Sequence, residues 1–304
     1  MKKILVTGSI AYDHLMTFDG EFSDSLIADQ LKNLSVSFLA KTHDYEFGGC
    51  AGNIAYSLKL LECEPVILGV AGMDFERYKK WMDVNGISAS QIAVDGGKLT
   101  ASAYILSDNK QNQISIFSPG AMDNLEDGLE LKGVDPSTID CAIIAPEPPK
   151  RMMHFGRYFN SVGIKFIFDP GQAIPALSKE EILELIEKSV GMIANDYEVE
   201  MLMKKLDLSE DKLASLCGFL IKTTGEKGCD IFENGDVINV PAVAGVKVVD
   251  TTGCGDAFRA GFLSGYVNGM NIEMSCKKAN KMAALVIAER GTQKHKITSK
   301  DFSI

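Results

Sequence analysis

Short apolar runs rich in β-branched residues alternate along the chain with stretches whose apolar positions recur at helical spacing. The runs predict strands at 4–7, 65–70, 141–145, 165–169, 191–194 and 219–223. The periodic stretches predict helices near 52–61, 75–85, 150–162, 179–188 and 197–205. Continuous apolar strands between amphipathic helices are what a parallel sheet needs when helices cover both its faces. The fold class is therefore α/β.

Two segments break this rhythm. Residues 34–47 alternate with no helix until Gly49, and 101–107 pair plausibly with 113–117 across the polar turn 108–112. Antiparallel strands inserted in a parallel chain commonly form a flap. A further hairpin is expected over 229–240, because Asn234-Gly235 supplies the positive φ angles of a type I′ turn. With no internal repeat, low-complexity tract or linker, the chain reads as one domain, 1–304, carrying a discontinuous lid from about 12–47 and 98–120.

Composition narrows the function. The 304 residues are 46% hydrophobic and 24% charged, which is the globular average. A net charge of −10 argues against a general nucleic-acid binder, which needs clustered cations to displace counterions. The charge is uneven: residues 1–150 hold 12 cations and 21 anions, whereas 251–304 hold 8 cations and 4 anions. A small anion would find its positive corner near that end. No run approaches the ~20 apolar residues that span a bilayer, and Gly8, Ser9 and Asp13 interrupt the apolar start, so no membrane partner is expected and a cytoplasmic location is. Seven cysteines without a CxxC pair or metal-ligand spacing read as free thiols in a reducing compartment.

The densest chemical signal is Asp250-Thr251-Thr252-Gly253-Cys254-Gly255-Asp256-Ala257-Phe258, followed by an amphipathic helix through about Asn268. Glycines on both sides of Cys254 let the N–H groups of 253–255 converge at the positive end of a helix dipole, which makes an anion hole. Asp256 then stands at the helix start, placed to receive a proton from a hydroxyl that attacks a phosphate held there. Arg259, one turn on, would add a cation toward the transferred phosphate. A first-turn carboxylate is also an ordinary helix-start residue.

These residues resemble the PfkB or ribokinase-like family of carbohydrate and nucleoside kinases. The DTxGxGD signature is matched at 250–256, and Gly48-Gly49-Cys50-Ala51-Gly52-Asn53 resembles the N-terminal signature. An NxxE motif stands at Asn195-Asp196-Tyr197-Glu198, and a nucleotide-site turn at Thr223-Thr224-Gly225-Glu226-Lys227-Gly228. Four motifs in the family's order are far more specific than any one of them. Within the family, 8–16, 118–122, Asp169-Pro170 with Gln172, and 255–262 are similar to bacterial adenosine kinases.

The resemblance implies a ribokinase-like three-layer α/β/α sandwich with a small β lid, and an ATP- and Mg²⁺-dependent transfer of the γ-phosphate to the 5′-hydroxyl of a nucleoside, adenosine first. Asp256 would be the base, with Gly253, Cys254 and Gly255 as the anion hole. Ser9, Asp13, Gly48, Gly49 and Asn53 would grip the ribose, where vicinal hydroxyls suit a carboxylate and a carboxamide. Gln172 would contact the nucleoside. Phe117 would stack on the base, and reads equally well as lid core. Asn195 and Glu198 would organise Mg²⁺ through water and phosphate, though Asn followed three residues later by Glu is also a capping box. Thr223, Gly225, Glu226, Gly228 and Asn280 would line the nucleotide. Asp250, Thr252 and Gly291 stand near the monovalent-cation (K⁺) loop of some relatives.

Where adenosine kinases carry a lid aromatic after the residues matching Thr100-Ala101, this chain has Ser102-Ala103 and only then Tyr104. A sugar acceptor (ribose or fructose), a broad-specificity nucleoside kinase and a non-catalytic nucleoside sensor are the alternatives. The open strands of the lid predict a homodimer through it.

Overall fold

In the computed structural model, the described residues are 1–26, 35–110, 112–297 and 299–302. Along the chain the strands are β1 (Lys3–Thr7), β2 (Ala11–Phe18), β3 (Ala40–Gly48), β4 (Glu64–Ile67), β5 (Gly69–Gly72), β6 (Ile92–Asp95) and β7 (Ala101–Ser107). They continue with β8 (Gln113–Ser118), β9 (Cys141–Ile144), β10 (Phe166–Phe168), β11 (Gly191–Asn195), β12 (Leu220–Thr223), β13 (Cys229–Glu233) and β14 (Asp236–Val240). The helices are α1 (Phe22–Ser25), α2 (Cys50–Leu60), α3 (Glu76–Val84), α4 (Pro149–Ser161), α5 (Lys179–Lys188), α6 (Asp196–Leu206), α7 (Glu210–Leu216), α8 (Cys254–Val267) and α9 (Ile272–Ile287).

The main sheet runs β4-β1-β9-β10-β11-β12-β13-β14. Its first six strands are parallel, and the β13–β14 hairpin adds an antiparallel edge. The hairpin turns at Asn234 and Gly235 with φ of 53° and 87°. Successive strand residues face opposite sides, so the apolar runs feed two cores. Ile4, Val6, Ile143, Ile167, Ile193 and Ile221 pack with α2, α3, α8 and α9 on one face. Leu5, Ile144, Phe166, Phe168, Met192 and Leu220 pack with α4 to α7 on the other. Each fully buried side chain of this kind contributes about 1.5–3 kcal/mol. The result is a three-layer α/β/α sandwich. Among the described residues no helix is long and apolar enough to cross a membrane.

A second sheet, β3-β2-β7-β8, draws on the two segments where a lid was expected. Its register puts Glu46, Asp13, Ala103 and Phe117 in one row across the strands. The next row, Tyr45, His14, Tyr104 and Ile116, faces the opposite side. Tyr104 stacks there on His14 at a ring separation of 4.5 Å, so it cannot replace the aromatic missing from the row that holds Asp13.

Several expectations are corrected. The predicted strand 65–70 is split: β4 belongs to the main sheet, while β5 pairs with β6 in a third sheet. The stretch 34–47 forms a strand only from Ala40; its first residue, Leu34, and Gln111 of the predicted turn lie outside the described residues. Strand β2 and helix α9 were not predicted.

Strand β1 has β4 on one side and β9 on the other, so the order of the sheet reverses there. In open α/β sheets ligands bind beyond the carboxyl ends of the strands near such a switch point. Ser9, Asp169, Asn195 and Thr223 all lie at or just past those ends.

Candidate active site

The loop after β1 closes the start of α2. Ser9 accepts the Cys50 N–H on its hydroxyl at 3.0 Å and the Ala51 N–H on its carbonyl at 3.0 Å. Gly49 is the N-cap of this helix. Asn53, in its first turn, is buried and donates Nδ2–H to Asp256 Oδ2 at 2.8 Å. Gly48 allows a close approach: a Cβ at that position would stand 2.2 Å from Asp13 Oδ2.

Helix α8 begins after Gly253, whose φ of +75° favours glycine. The expected anion hole needs one change. The Cys254 N–H already donates to the Thr251 carbonyl at 3.2 Å, closing the turn that precedes the helix. The N–H groups left without a helical acceptor at this turn are those of Gly255 and Asp256, the next two helical positions. The Asp256 carboxylate accepts the Asn53 amide N–H.

The carboxyls of Asp256 and Asp13 are both perturbed. Burial pushes Asp256 up to about 6, against the Asn53 hydrogen bond and the Arg259 charge, with Asp169 adding to the rise. Burial, then repulsion from Asp256 and Glu46, pushes Asp13 up to about 6. Phe117 shares the row of Asp13 and is 49% exposed. Gln172 is exposed on the 3-10 turn that follows β10.

Beside α8 opens a cleft of about 760 Å³, lined by Asn195, Thr223, Gly225, Glu226, Gly228 and Asn280 together with Cys254, Gly255 and Arg259. It brings together the residues that the resemblance assigned to the nucleotide. Asn280 also spends its amide protons on the Val240 and Pro241 carbonyls, at 3.1 and 3.0 Å, fixing the chain that borders the cleft. Asn195 and Glu198 form a complete capping box: Glu198 N–H donates to Asn195 Oδ1 at 2.7 Å, and Asn195 N–H donates to Glu198 Oε2 at 2.8 Å.

Arg259 is not an unpaired cation aimed at phosphate. Asp169 grips its guanidinium at two points, through Nε and through Nη2 (2.6 Å), while Nη1 donates to the Gly255 carbonyl at 3.1 Å. Glu198 Oε2 stands 3.9 Å from Nη2. The guanidinium thus reaches the cleft already neutralised, and its grip on Gly255 steadies the start of α8. The Cys254 thiol is pushed up by burial and by Asp256, against Arg259, so it is a poor nucleophile. Asp250 accepts the Thr252 N–H at 2.9 Å and the Gly291 N–H at 3.1 Å, so these three residues do meet, as a tie between loops.

Sequence reasoning missed the role of Asp169, whose Arg259 partner is 90 positions away, and a group of buried Tyr78 and Gln293 with half-buried Trp81 that touches Asn53. Asp169 lies in a stretch that resembled the family. Gln293 carries no local signal.

The pattern of the pfkB family carbohydrate kinases matches residues 1–299. A nucleoside kinase of Methanocaldococcus jannaschii is 31% identical over 302 residues, covering 96% of this chain and 93% of that one. The solved structure of the Burkholderia thailandensis nucleoside kinase in complex with inosine is 38% identical, with a TM-score of 0.86 over 98% of this chain and 95% of that one. The same kinase in complex with ADP-inosine gives a TM-score of 0.82, covering 98% and 93%. A chain matched along nearly its whole length in sequence and in fold is a phosphotransferase with a hydroxyl acceptor, and it belongs to the pfkB family of carbohydrate kinases.

Proposed function

We propose that this protein is an ATP-dependent nucleoside kinase that phosphorylates the 5′-hydroxyl of a purine nucleoside, with adenosine the expected acceptor and inosine its nearest rival. The observation that carries the reading is the Asn53–Asp256 hydrogen bond beside Asp13, which sets a buried carboxylate at the mouth of a helix-start anion cradle. Asp256 takes the proton of the hydroxyl as its oxygen bonds to the γ-phosphorus, and the bond to the bridging oxygen breaks to release ADP. Gly253, Gly255 and the N–H of Asp256 hold the transferred phosphate. Asp13 and Asn53 hold the ribose hydroxyls, and Phe117 offers a ring to the base.

The rivalry with inosine rests on two points. The Burkholderia relative was solved with inosine. In this chain the row shared with Asp13 holds Ala103 and Phe117, and a base resting on it would be distinguished poorly as a 6-amino or a 6-oxo purine.

A magnesium ion fits as a companion of the triphosphate. Among the described residues no group of three or more His, Cys, Asp or Glu could hold a metal. Such an ion would take phosphate and water oxygens, with Asn195 and Glu198 arranging its surroundings, and would offset charge on the phosphates. The second sheet, acting as a lid, excludes water once the nucleoside is bound.

The test is ADP release with adenosine, inosine, guanosine, cytidine, ribose and fructose in competition. Preference for a purine nucleoside by at least tenfold in kcat/KM supports the reading. Preference for a free sugar overturns it.

A further inference from the structure

Behind Asn53, buried Gln293 and Tyr78 and half-buried Trp81 form one directed chain of hydrogen bonds. Trp81 on α3 donates Nε1–H to Gln293 Oε1 at 2.9 Å. Gln293 Nε2 donates to Asn53 Oδ1 at 3.0 Å and to Tyr78 Oη at 2.7 Å. Tyr78 in turn donates to the Gly48 carbonyl at 2.8 Å, and Asn53 donates to Asp256.

The direction is fixed at its far end. An indole N–H can only donate, so the Gln293 atom that faces Trp81 is its oxygen. That turns the amide nitrogen toward Asn53 and Tyr78 and uses both of its protons. Asn53 must then present its oxygen to Gln293 and its nitrogen to Asp256. Flipping either amide would set two donors or two acceptors face to face. Gln293 is 4% exposed and Tyr78 is fully buried, so water cannot repair the mismatch. The chain also branches: through Tyr78 it fixes Gly48, the platform on which Asp13 rests.

We propose that Gln293, oriented by Trp81, is a positioning residue for phosphoryl transfer: it locks the Asn53 amide so that its N–H, not its carbonyl, meets Asp256. The proposal rests on the reading of Asp256 as the base. Other groups facing Asp256 are Asp13 from β2, Asp169 beyond β10, Cys50 at the start of α2, and Cys254 and Arg259 on its own helix. Among these, Arg259 alone favours the anion, and Asp169 already holds it. The Asn53 hydrogen bond is then the side-chain support for a charged base, added to that of the start of α8.

The experiment is the pH dependence of kcat with the best acceptor of the panel, from pH 5 to 8.5, on the full chain. The variants are Gln293→Glu, Gln293→Met and Trp81→Phe, with Asp256→Asn alongside. Gln293→Glu presents an acceptor to Asn53 and inverts the relay. Its acidic limb is expected to move up by about one pH unit and kcat to fall roughly 10- to 100-fold, with the KM for ATP unchanged. Gln293→Met removes the lock and moves the limb in the same direction by less. Trp81→Phe keeps the ring against Phe47 and removes only the N–H, for about a two- to fivefold loss.

A purely structural role would lower the melting temperature and leave the limb in place. Folded Gln293→Met and Trp81→Phe proteins with an unmoved acidic limb overturn the proposal, and these two decide the matter if Gln293→Glu does not fold. Near-wild-type turnover by Asp256→Asn defeats the reading of the base itself. An inactive Asp256→Asn with unmoved limbs in the others defeats only the relay.

Discussion

Asp256 and Arg259 stand one turn apart on α8 and meet opposite surroundings. On the nucleotide side, the guanidinium is closed by a two-point grip from Asp169, and Glu198 lies 3.9 Å away. On the acceptor side, Asp256 receives one amide N–H and faces a second carboxylate, Asp13, which itself faces Glu46. A buried pair of opposite charges compensates its own desolvation, whereas buried like charges do not. The nucleotide side therefore spends its charges on holding α8 in place. The side proposed for the acceptor keeps two buried carboxylates whose ionisation is raised toward about 6.

Breaking the unsatisfied side has the largest consequence. Asp256→Asn keeps the shape and removes the proton acceptor; turnover should fall by roughly 10³-fold while nucleoside binding, followed by calorimetry, survives. A rate within tenfold of wild type would remove the contrast.

Breaking the satisfied side acts on stability. Asp169→Ala strands a buried guanidinium, and urea unfolding should report a loss of about 3–5 kcal/mol. A loss under 1 kcal/mol would mean that Arg259 finds solvent or another partner.

The third prediction sharpens the comparison through pH. Asp13 has its carboxyl raised in the folded state from 3.8 to about 6. Folding then favours the protonated form, so the native state is penalised as pH rises through about 6. Asp13→Asn should stabilise the ligand-free protein at pH 8 by at most roughly 3 kcal/mol, and the gain should vanish below pH 4. A gain that persists at low pH would point to packing rather than charge.

The short motifs were legible from sequence: Asp250 to Asp256 before α8, Gly48 to Asn53 before α2, and Asn195 with Glu198 and Thr223 to Gly228 at the ends of strongly apolar strands. The apolar runs of β1, β9, β10, β11 and β12 were equally plain, since each is buried on both faces. Strand β2 was not: Ala11–Phe18 carries Asp13 and His14, and it is made a strand by pairing with β7, some 90 residues on. The roles of Asp169 and Gln293 were hidden for the same reason. Asp169 closes Arg259 and Gln293 orients Asn53 across separations of 90 and 240 residues, with no local pattern to announce either. Arg259 was read as a cation beside the helix start without its counter-charge, Asp169, which the sequence places 90 positions away.

The capping box at the start of α6 has one further consequence. Glu198 is fastened to the backbone of Asn195, so its rotamer freedom is surrendered during folding. A carboxylate held this way is set in place by the fold itself, which suits the role beside the phosphates proposed for it. The helix that it starts and the ligand that it awaits draw on one act of ordering, and drift at either position would be felt by folding as soon as by chemistry.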